Sequence, residues 1–285
     1  MKIIKDITSD QERAFYSESN TVFQNIKIKG PEDGESAFKE CQNIVIEESV
    51  FDLRYPFWHN DLLAINESEL TSNCRAALWY SKNISMSDSI IDGVKVYREC
   101  QKIKVKDSKI NSPEPFWFCQ DILINGGSLA GEYAFFKSEN IEIHNLNFKG
   151  KYSFQYVKNL TIYDSYLDTK DAFWHAENVT VYNSIIIGAY LAWYGKNIKL
   201  VNCKIIGTQP ICYTDNILME NCTMEETDYS FEYSTVYAEI KGEIESIKNP
   251  YKGRIKAGNI KEIIIDEYAK PDSQVEIIAK NKNVA

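Results

Sequence analysis

A 19-residue period runs through most of the sequence without an inserted or deleted residue. From Asn83, repeated steps of this length reach Lys102, Asp121, Asn140, Asn159, Asn178, Asn197, Asn216 and Thr235. An apolar residue follows each of these positions by one residue and again by three, beginning with Ile84 and Met86. A fixed period of this size is typical of a solenoid, in which each repeat forms one turn and stacks on its neighbours.

Within each repeat, an alternation such as Ile-x-Ile predicts a short strand whose alternate side chains face inward. The strand then meets Asp88, Asp107, Gly126 or an equivalent residue, all of types that favour turns and left-handed backbone geometry. Three short strands with their turns leave no room for a helix in so short a repeat. We therefore predict an all-β, single-stranded, right-handed parallel β-helix of roughly 11 coils.

The repeat fades towards both ends of the sequence. Because a solenoid exposes an open strand edge at each end, we expect both edges to be covered. The predicted organisation is an N-terminal cap over residues 1–25, β-helix coils over residues 26–238, and a C-terminal β cap with a tail over residues 239–285.

Charge and hydropathy exclude two classes of partner. A net charge of -9 argues against nucleic acid, since binding to phosphates depends on clustered Lys and Arg. The longest apolar runs are far shorter than the roughly 20 residues that cross a bilayer, so no membrane partner is expected.

Cysteine usage indicates the compartment. Seven cysteines are an odd number, and no signal-peptide pattern appears near Met1, which predicts a reducing, cytoplasmic setting. Cys100 and Cys119 share one column of the repeat, as do Cys203 and Cys222, and we expect stacked thiols in this setting. No zinc-ligand spacing is present, so we predict neither a metal nor a cofactor.

Four phrases carry a resemblance to a known family: Phe57-Trp58-His59-Asn60, Ala77-Leu78-Trp79-Tyr80-Ser81, Phe116-Trp117-Phe118-Cys119 and Lys248-Asn249-Pro250. Set in coils of this length, they resemble an uncharacterised bacterial family of pectate-lyase-like right-handed β-helix proteins. That family is a domain of unknown function. The resemblance therefore implies a fold and no reaction.

The tryptophans indicate where a ligand would bind. Four of the five share one column that follows an apolar column, so alternation turns them outward, and the next column is rich in Tyr. A row of aromatic rings suits sugar rings or a protein partner. The predicted ligand-binding residues, here called the aromatic rail, are Trp58, Trp79, Tyr80, Trp117, Trp174, His175, Trp193 and Tyr194. The sequence leaves open whether this column is instead buried, or covered by a second subunit.

Catalysis is the less favoured hypothesis. Glu99, Arg98, Lys137 and His175 are the candidate acids, bases and cations if the protein is an enzyme. Arg98 is equally explained as a cation stacked on indoles. The invariant period leaves no inserted loops to wall a cleft. The leading prediction is non-catalytic binding of a carbohydrate-type ligand or partner; the alternatives are a carbohydrate-active lyase or hydrolase and a homo-oligomeric scaffold.

Overall fold

Short parallel strands form nearly all of the regular structure in the computed structural model, which describes residues 1–30, 36–280 and 282–284. The chain divides into two compact units, Met1–Glu142 and Ile143–Ala285. The described residues include no α-helix, and hence no helix that could cross a membrane.

The first unit contains fourteen strands in its described residues. They are β1 (Lys2–Lys5), β2 (Thr8–Ser9), β3 (Ser19–Gln24), β4 (Lys27–Lys29), β5 (Gln42–Glu47), β6 (Val50–Asp52), β7 (Asp61–Asn66), β8 (Glu69–Leu70), β9 (Lys82–Ser87), β10 (Ile90–Ile91), β11 (Gln101–Lys106), β12 (Lys109–Asn111), β13 (Gln120–Asn125) and β14 (Ser128–Glu132). β15 (Glu139–His144) contains the boundary between the units.

The second unit has fewer and, towards its end, longer strands. They are β16 (Asn147–Lys151), β17 (Lys158–Tyr163), β18 (Tyr166–Lys170), β19 (Glu177–Tyr182), β20 (Ile185–Ile187), β21 (Lys196–Val201), β22 (Lys204–Ile206), β23 (Asp215–Glu225), β24 (Thr235–Lys248), β25 (Lys252–Ile264), β26 (Gln274–Ala279) and β27 (Lys282–Val284).

The strand register reproduces the period of the sequence. In the first unit, Ile103 of β11 pairs in parallel with Ile84 of β9 and with Ile122 of β13. In the second unit, Val181 of β19 pairs in the same way with Ile162 and Leu200. Each partner lies one period away in the sequence, so equivalent side chains form columns. The predicted fold class, a right-handed parallel β-helix, is confirmed.

The core follows from the inward columns. Ile84, Ile103 and Ile122 are almost fully buried, as strand alternation requires. Inside the first unit the rings of Tyr97 and Phe116 stack with centroids 4.6 Å apart. Such stacking adds to the free energy gained by burying the rings.

The polar columns form structural ladders. The amide of Asn178 donates to Asn159 Oδ1 at 3.1 Å, and Asn197 donates to Asn178 at 3.1 Å. All three residues have positive φ, which Asn tolerates better than most residues. The Asn columns thus satisfy their own amides from coil to coil.

The coil count differs from the prediction. The molecule has about 14 turns rather than 11. β1 and β2, inside the segment predicted as an N-terminal cap, pair in parallel with β3 and β4. β24, β25 and β26 continue the parallel pairing through residues 239–279, and β27 pairs with β26 in the antiparallel sense. The N-terminal turn keeps the regular offset, since Ile3 pairs with Val22, but the sequence missed it because the next step, from Val22 to Val45, is longer. The C-terminal turns were missed because their own lengths depart from the regular period. Asn281, in the predicted tail, lies outside the described residues.

The side-chain columns are shifted locally at two places in the chain. The left-handed φ of Asn43 recurs at Leu62 and then at Asn83, so the first of these steps matches the regular period and the second is longer. Further along the chain, the Tyr213 N–H donates to Glu232 O at 2.7 Å, which places Tyr233 in the Tyr213 column. One extra residue therefore precedes this position.

Candidate functional site

The tryptophans of the aromatic rail lie half-buried on the outside of the coils. In the first unit, Phe116 is fully buried, Trp117 is half-buried and Phe118 is exposed. The same sequence of burial recurs at Phe173, Trp174 and His175 in the second unit. The most accessible column is therefore the one after the tryptophans.

Every indole N–H is used within the protein. In the first unit, Trp79 Nε1 donates to Lys95 O at 2.6 Å and Trp117 Nε1 donates to Tyr133 O at 2.8 Å. Trp58 Nε1 donates to Ala76 O at 2.6 Å. In the second unit, the indoles of Trp174 and Trp193 donate to Tyr190 O and Gln209 O at 2.7 and 2.8 Å. These side chains fasten each coil to the next.

Ring faces are largely covered by neighbouring rings. Trp58 and Trp79 stack with centroids 5.5 Å apart and planes 4° from parallel, and Trp174 and Trp193 stack at 5.6 Å and 6°. These stacks therefore do not present a continuous row of ring faces that is open to sugars.

The exposed column of the second unit is a ladder of ring edges. His175 stacks between Tyr156 at 4.8 Å and Tyr194 at 5.0 Å, and Tyr194 stacks on Tyr213 at 4.9 Å. Both faces of the His175 ring are therefore occupied, and its edge remains for solvent.

The corresponding column of the first unit is interrupted. His59 stacks on Tyr80 with centroids 5.0 Å apart, but the next coil carries Glu99 and the coil after it Phe118. Among the described residues, no ring stacks on the second face of Tyr80, and Trp58 and Trp79 meet Tyr80 in perpendicular contacts at 6.0 and 5.9 Å. Tyr80 and Phe118 are 38% and 36% exposed.

A groove opens at this interruption. It has a volume of about 660 Å³ and is lined by Tyr80, Ser81, Lys82, Arg98, Glu99, Gln101, Phe118 and Gln120. Tyr80 and Phe118 are two coils apart, a spacing of about 9.6 Å at a strand separation of about 4.8 Å. We call this feature the Tyr80 groove.

Arg98 forms one wall of the Tyr80 groove. Its guanidinium lies 5.1 Å from the Trp79 ring centroid and 5.5 Å from that of Phe118, which are cation–π distances. Its Nε also lies 3.4 Å from Glu99 Oε1. The side chains of Arg98 and Glu99 are 31% and 48% exposed. The interpretation of Arg98 as a cation stacked on indoles agrees with this geometry.

A second ion pair borders the groove. Lys82 Nζ lies 3.2 Å from Asp61 Oδ2. A hydrogen bond from Asn83 and, less strongly, the Lys82 ammonium hold the pKa of Asp61 below its usual range. Asp61 therefore carries its negative charge at neutral pH, and the Lys82 charge is matched.

The predicted site residues separate into three groups. Tyr80, Arg98 and Glu99 meet in the Tyr80 groove, and Trp79 and Trp117 flank Arg98. Trp58 stacks behind Trp79, and Lys137 lies with its Nζ 5.4 Å from the Phe136 ring, outside the groove lining. Trp174, His175, Trp193 and Tyr194 belong to the second unit. Their roles in ligand binding or catalysis stay predictions.

The remaining groove residues were not predicted as site residues: Ser81, Lys82, Gln101, Phe118 and Gln120. The signal that marks them is the break at Glu99 in a column of rings. A second groove of about 590 Å³ lies over β9, β11 and β13 and carries Lys104 and Leu123 but no aromatic ring. Among the described residues, no cluster of His, Cys, Asp and Glu could hold a metal ion.

A family model described as "Protein of unknown function (DUF3737)" matches residues 2–278. The chain belongs to this family. The resemblance inferred from the sequence is thereby confirmed. No curated protein matches the sequence.

Solved structures with a similar fold include a Streptococcus pneumoniae surface protein and adhesin, PfbA, at 8% identity and a TM-score of 0.48, covering 98% of this chain and 89% of that one. The A-module of the Azotobacter vinelandii mannuronan C-5 epimerase AlgE4 matches at 8% identity and 0.41, covering 95% and 88%. An exopolygalacturonase from Thermotoga maritima matches at 8% and 0.30, covering 99% and 84%.

Proposed function

We propose that this protein binds a carbohydrate-type ligand in the Tyr80 groove and does not transform it. The observation that carries the proposal is the interruption of the ring column at Glu99. One face of Tyr80 is covered by His59 at 5.0 Å, and the opposite face borders the groove. A ring face beside hydrogen-bonding groups in a concave site is the usual setting for a small polar ligand.

This proposal is narrower than the one made from the sequence. Rings that stack on one another at 4.8 to 5.6 Å leave edges rather than faces for a ligand. Tyr80 escapes this arrangement because its next neighbour in the column is Glu99. We therefore assign the binding role to the groove and a structural role to the stacked tryptophans.

The groove chemistry does not favour hydrolysis. Most glycosidases use two carboxyl groups on either side of the scissile bond. Glu99 is the single carboxylate among the residues that line the groove, and it is paired with Arg98 at 3.4 Å. The alternative of a carbohydrate-active hydrolase therefore receives no support from this site.

The proposal is tested by removing the two rings. Tyr80→Ala and Phe118→Ala should each weaken binding of a responding oligosaccharide by about tenfold, about 1.4 kcal/mol, as expected for an anchoring ring. Binding is identified on a glycan array and measured by fluorescence titration, since Trp79 and Trp117 flank Arg98. Tyr166→Ala is the matched control, because Tyr166 is 42% exposed and belongs to the second unit.

Three outcomes contradict this proposal. If no glycan responds and Tyr80→Ala changes only the oligomeric state, the protein is a scaffold. If Tyr166→Ala weakens binding as much as Tyr80→Ala, the ligand lies elsewhere. If an oligosaccharide is cleaved and Glu99→Ala abolishes cleavage, the protein is an enzyme.

We also propose that the protein works in a reducing compartment such as the cytoplasm. All seven cysteines are free thiols and buried. Cys100 and Cys119 occupy equivalent positions in adjacent coils, and burial together with a hydrogen bond between them raises the pKa of Cys119. Neutral, hydrogen-bonded thiols suit a setting that does not oxidise them.

A further inference from the structure

We infer that Glu99 is a specificity-determining residue that restricts the Tyr80 groove to neutral oligosaccharides. This inference rests on the proposed function and adds the class of ligand. It follows from two observations: the charges in and beside the groove are paired with one another, and the polar groups left for a ligand are neutral.

The cations at the groove are already engaged. Arg98 lies between the Trp79 and Phe118 rings and pairs with Glu99 at 3.4 Å. Lys82 pairs with Asp61 at 3.2 Å. Two positive charges are thus matched by two negative ones. A uronate or sulfate group entering the groove would therefore find no unmatched positive charge and would meet the Glu99 carboxylate.

The uncommitted groups in the groove are neutral. The side-chain amides of Gln101 and Gln120 line it, both residues are exposed, and neither amide bonds another described side chain. Each amide offers two donors and an acceptor, which match the mixed donor and acceptor character of sugar hydroxyls. Neutral hydroxyls gain partners here without displacing an ion pair.

Glu99 excludes acidic ligands because, of the Arg98–Glu99 ion pair, its side chain is the more exposed one in the groove. Like charges placed together at an interface oppose binding more strongly than a matched pair favours it. Removing the carboxylate also leaves the Arg98 guanidinium without its partner. The loss of one charge would therefore convert the groove from neutral to cationic.

The experiment compares two ligand classes on two proteins. Neutral probes are cellohexaose, xylohexaose and mannohexaose; acidic probes are hexagalacturonate and hexamannuronate. Wild-type protein should bind at least one neutral probe, with little change between low and high salt, and neither acidic probe. Glu99→Gln should raise the ratio of acidic to neutral affinity by at least about tenfold, because a like charge has been removed.

The matched control is Glu220→Gln. Glu220 is 45% exposed and pairs with Lys199 at 3.2 Å in the second unit, so the net charge change is identical. It should leave both affinities unchanged. Thermal unfolding of both variants checks that the fold is retained, and the salt dependence of the wild type tests the inference without any variant.

The outcomes separate the inference from the proposed function. Acidic probes that bind wild type as tightly as neutral ones, or a Glu99→Gln variant that gains no acidic affinity, overturn the specificity role while the groove remains a binding site. If the wild-type protein binds none of the neutral or acidic probes, the proposed function itself is overturned, and the specificity role with it.

Discussion

At the residue scale, the side chains outside the core act mainly on one another. The indole N–H groups bond the next coil, and the Asn amides form ladders in which each donates to the coil before it. This explains why residue types suited to ligand binding recur in columns without forming a site in each coil.

The Asn ladder predicts a pH-dependent defect. Asn178→Asp removes the amide that donates to Asn159 Oδ1 at 3.1 Å and places a carboxylate against that oxygen. We expect a loss of about 1 kcal/mol in the free energy of unfolding at pH 7. The loss should shrink as pH falls, because a protonated Asp can donate again. Urea unfolding at several pH values measures it; an equal loss at pH 3 and pH 7 contradicts it.

For Asp171 we expect a substitution that raises, rather than lowers, the free energy of unfolding at pH 7. Its side chain is 5% exposed, and burial raises the pKa of this carboxyl, opposed only in part by Lys170 at 3.9 Å. Because the folded pKa lies above the unfolded one, ionised Asp171 lowers stability above the folded pKa, and stability is recovered as pH falls through it. Asp171→Asn should therefore raise the free energy of unfolding at pH 7 and leave it unchanged below the unfolded pKa. Denaturant titrations that show no gain at pH 7 contradict this.

At the element scale, one short segment separates stability from binding. Phe116 is fully buried and stacks on Tyr97 at 4.6 Å, whereas Phe118, two residues later, is 36% exposed at the groove. The two rings differ in role because the backbone between them turns one side chain inward and the other outward.

This segment predicts contrasting variants. Phe116→Ala should lower the free energy of unfolding by about 3–5 kcal/mol, as for other buried aromatic residues replaced by Ala. Phe118→Ala should lower it by less than about 1 kcal/mol while weakening ligand binding. Chemical denaturation of both variants gives the comparison, and a Phe118→Ala loss as large as that of Phe116→Ala would show that Phe118 belongs to the core.

The turns carry their own requirement. Gly188 has φ +145°, and a Cβ added there would clash with the Thr169 carbonyl oxygen. Gly188→Ala should cost about 1–3 kcal/mol of stability. Gly242→Ala is the control, since Gly242 also has positive φ (+85°) but no atom within 4 Å of an added Cβ. Equal losses of stability for the two variants would assign the whole effect to φ rather than to close packing of the coils.

At the scale of the whole molecule, the sequence predicted the fold class because a β-helix writes its register directly into its period. Ile84, Ile103 and Ile122 are neighbours in space because they are one period apart in the sequence. The C-terminal turns were missed because β24 and β25 pair Val236 with Gly253, an offset shorter than the regular period, which no fixed repeat can reveal.

The candidate site was predictable only in part. The columns place Tyr80 in one coil and both Arg98 and Glu99 in the next, but sequence alone does not report how rings are tilted. The indole N–H bond to Lys95 O, which turns Trp79 into a structural residue, depends on that tilt. An interrupted column of aromatic rings therefore indicates a binding site better than an uninterrupted column does.

The thiols offer a test of the molecule as a whole. Burial raises the pKa of Cys41, Cys74 and Cys212 to about 12, so these thiols stay neutral and unreactive at pH 8. Because all seven thiols are buried, protein purified without reductant should show almost no reactive thiol in the folded state and seven after denaturation. Five or fewer thiols after denaturation would indicate a disulfide and contradict the proposal of a reducing compartment.

The most direct test of the account is to close the groove by completing the ring column. Glu99 has φ 52°, close to the values of Tyr80 (58°) and Phe118 (56°), so the backbone at this position accepts an aromatic side chain. In Glu99→Tyr, the new ring should stack on Tyr80, leave thermal stability unchanged or higher, and weaken oligosaccharide binding by at least about tenfold. Binding by a folded Glu99→Tyr variant with the affinity of the wild type would contradict the claim that the open face of Tyr80 is the binding site.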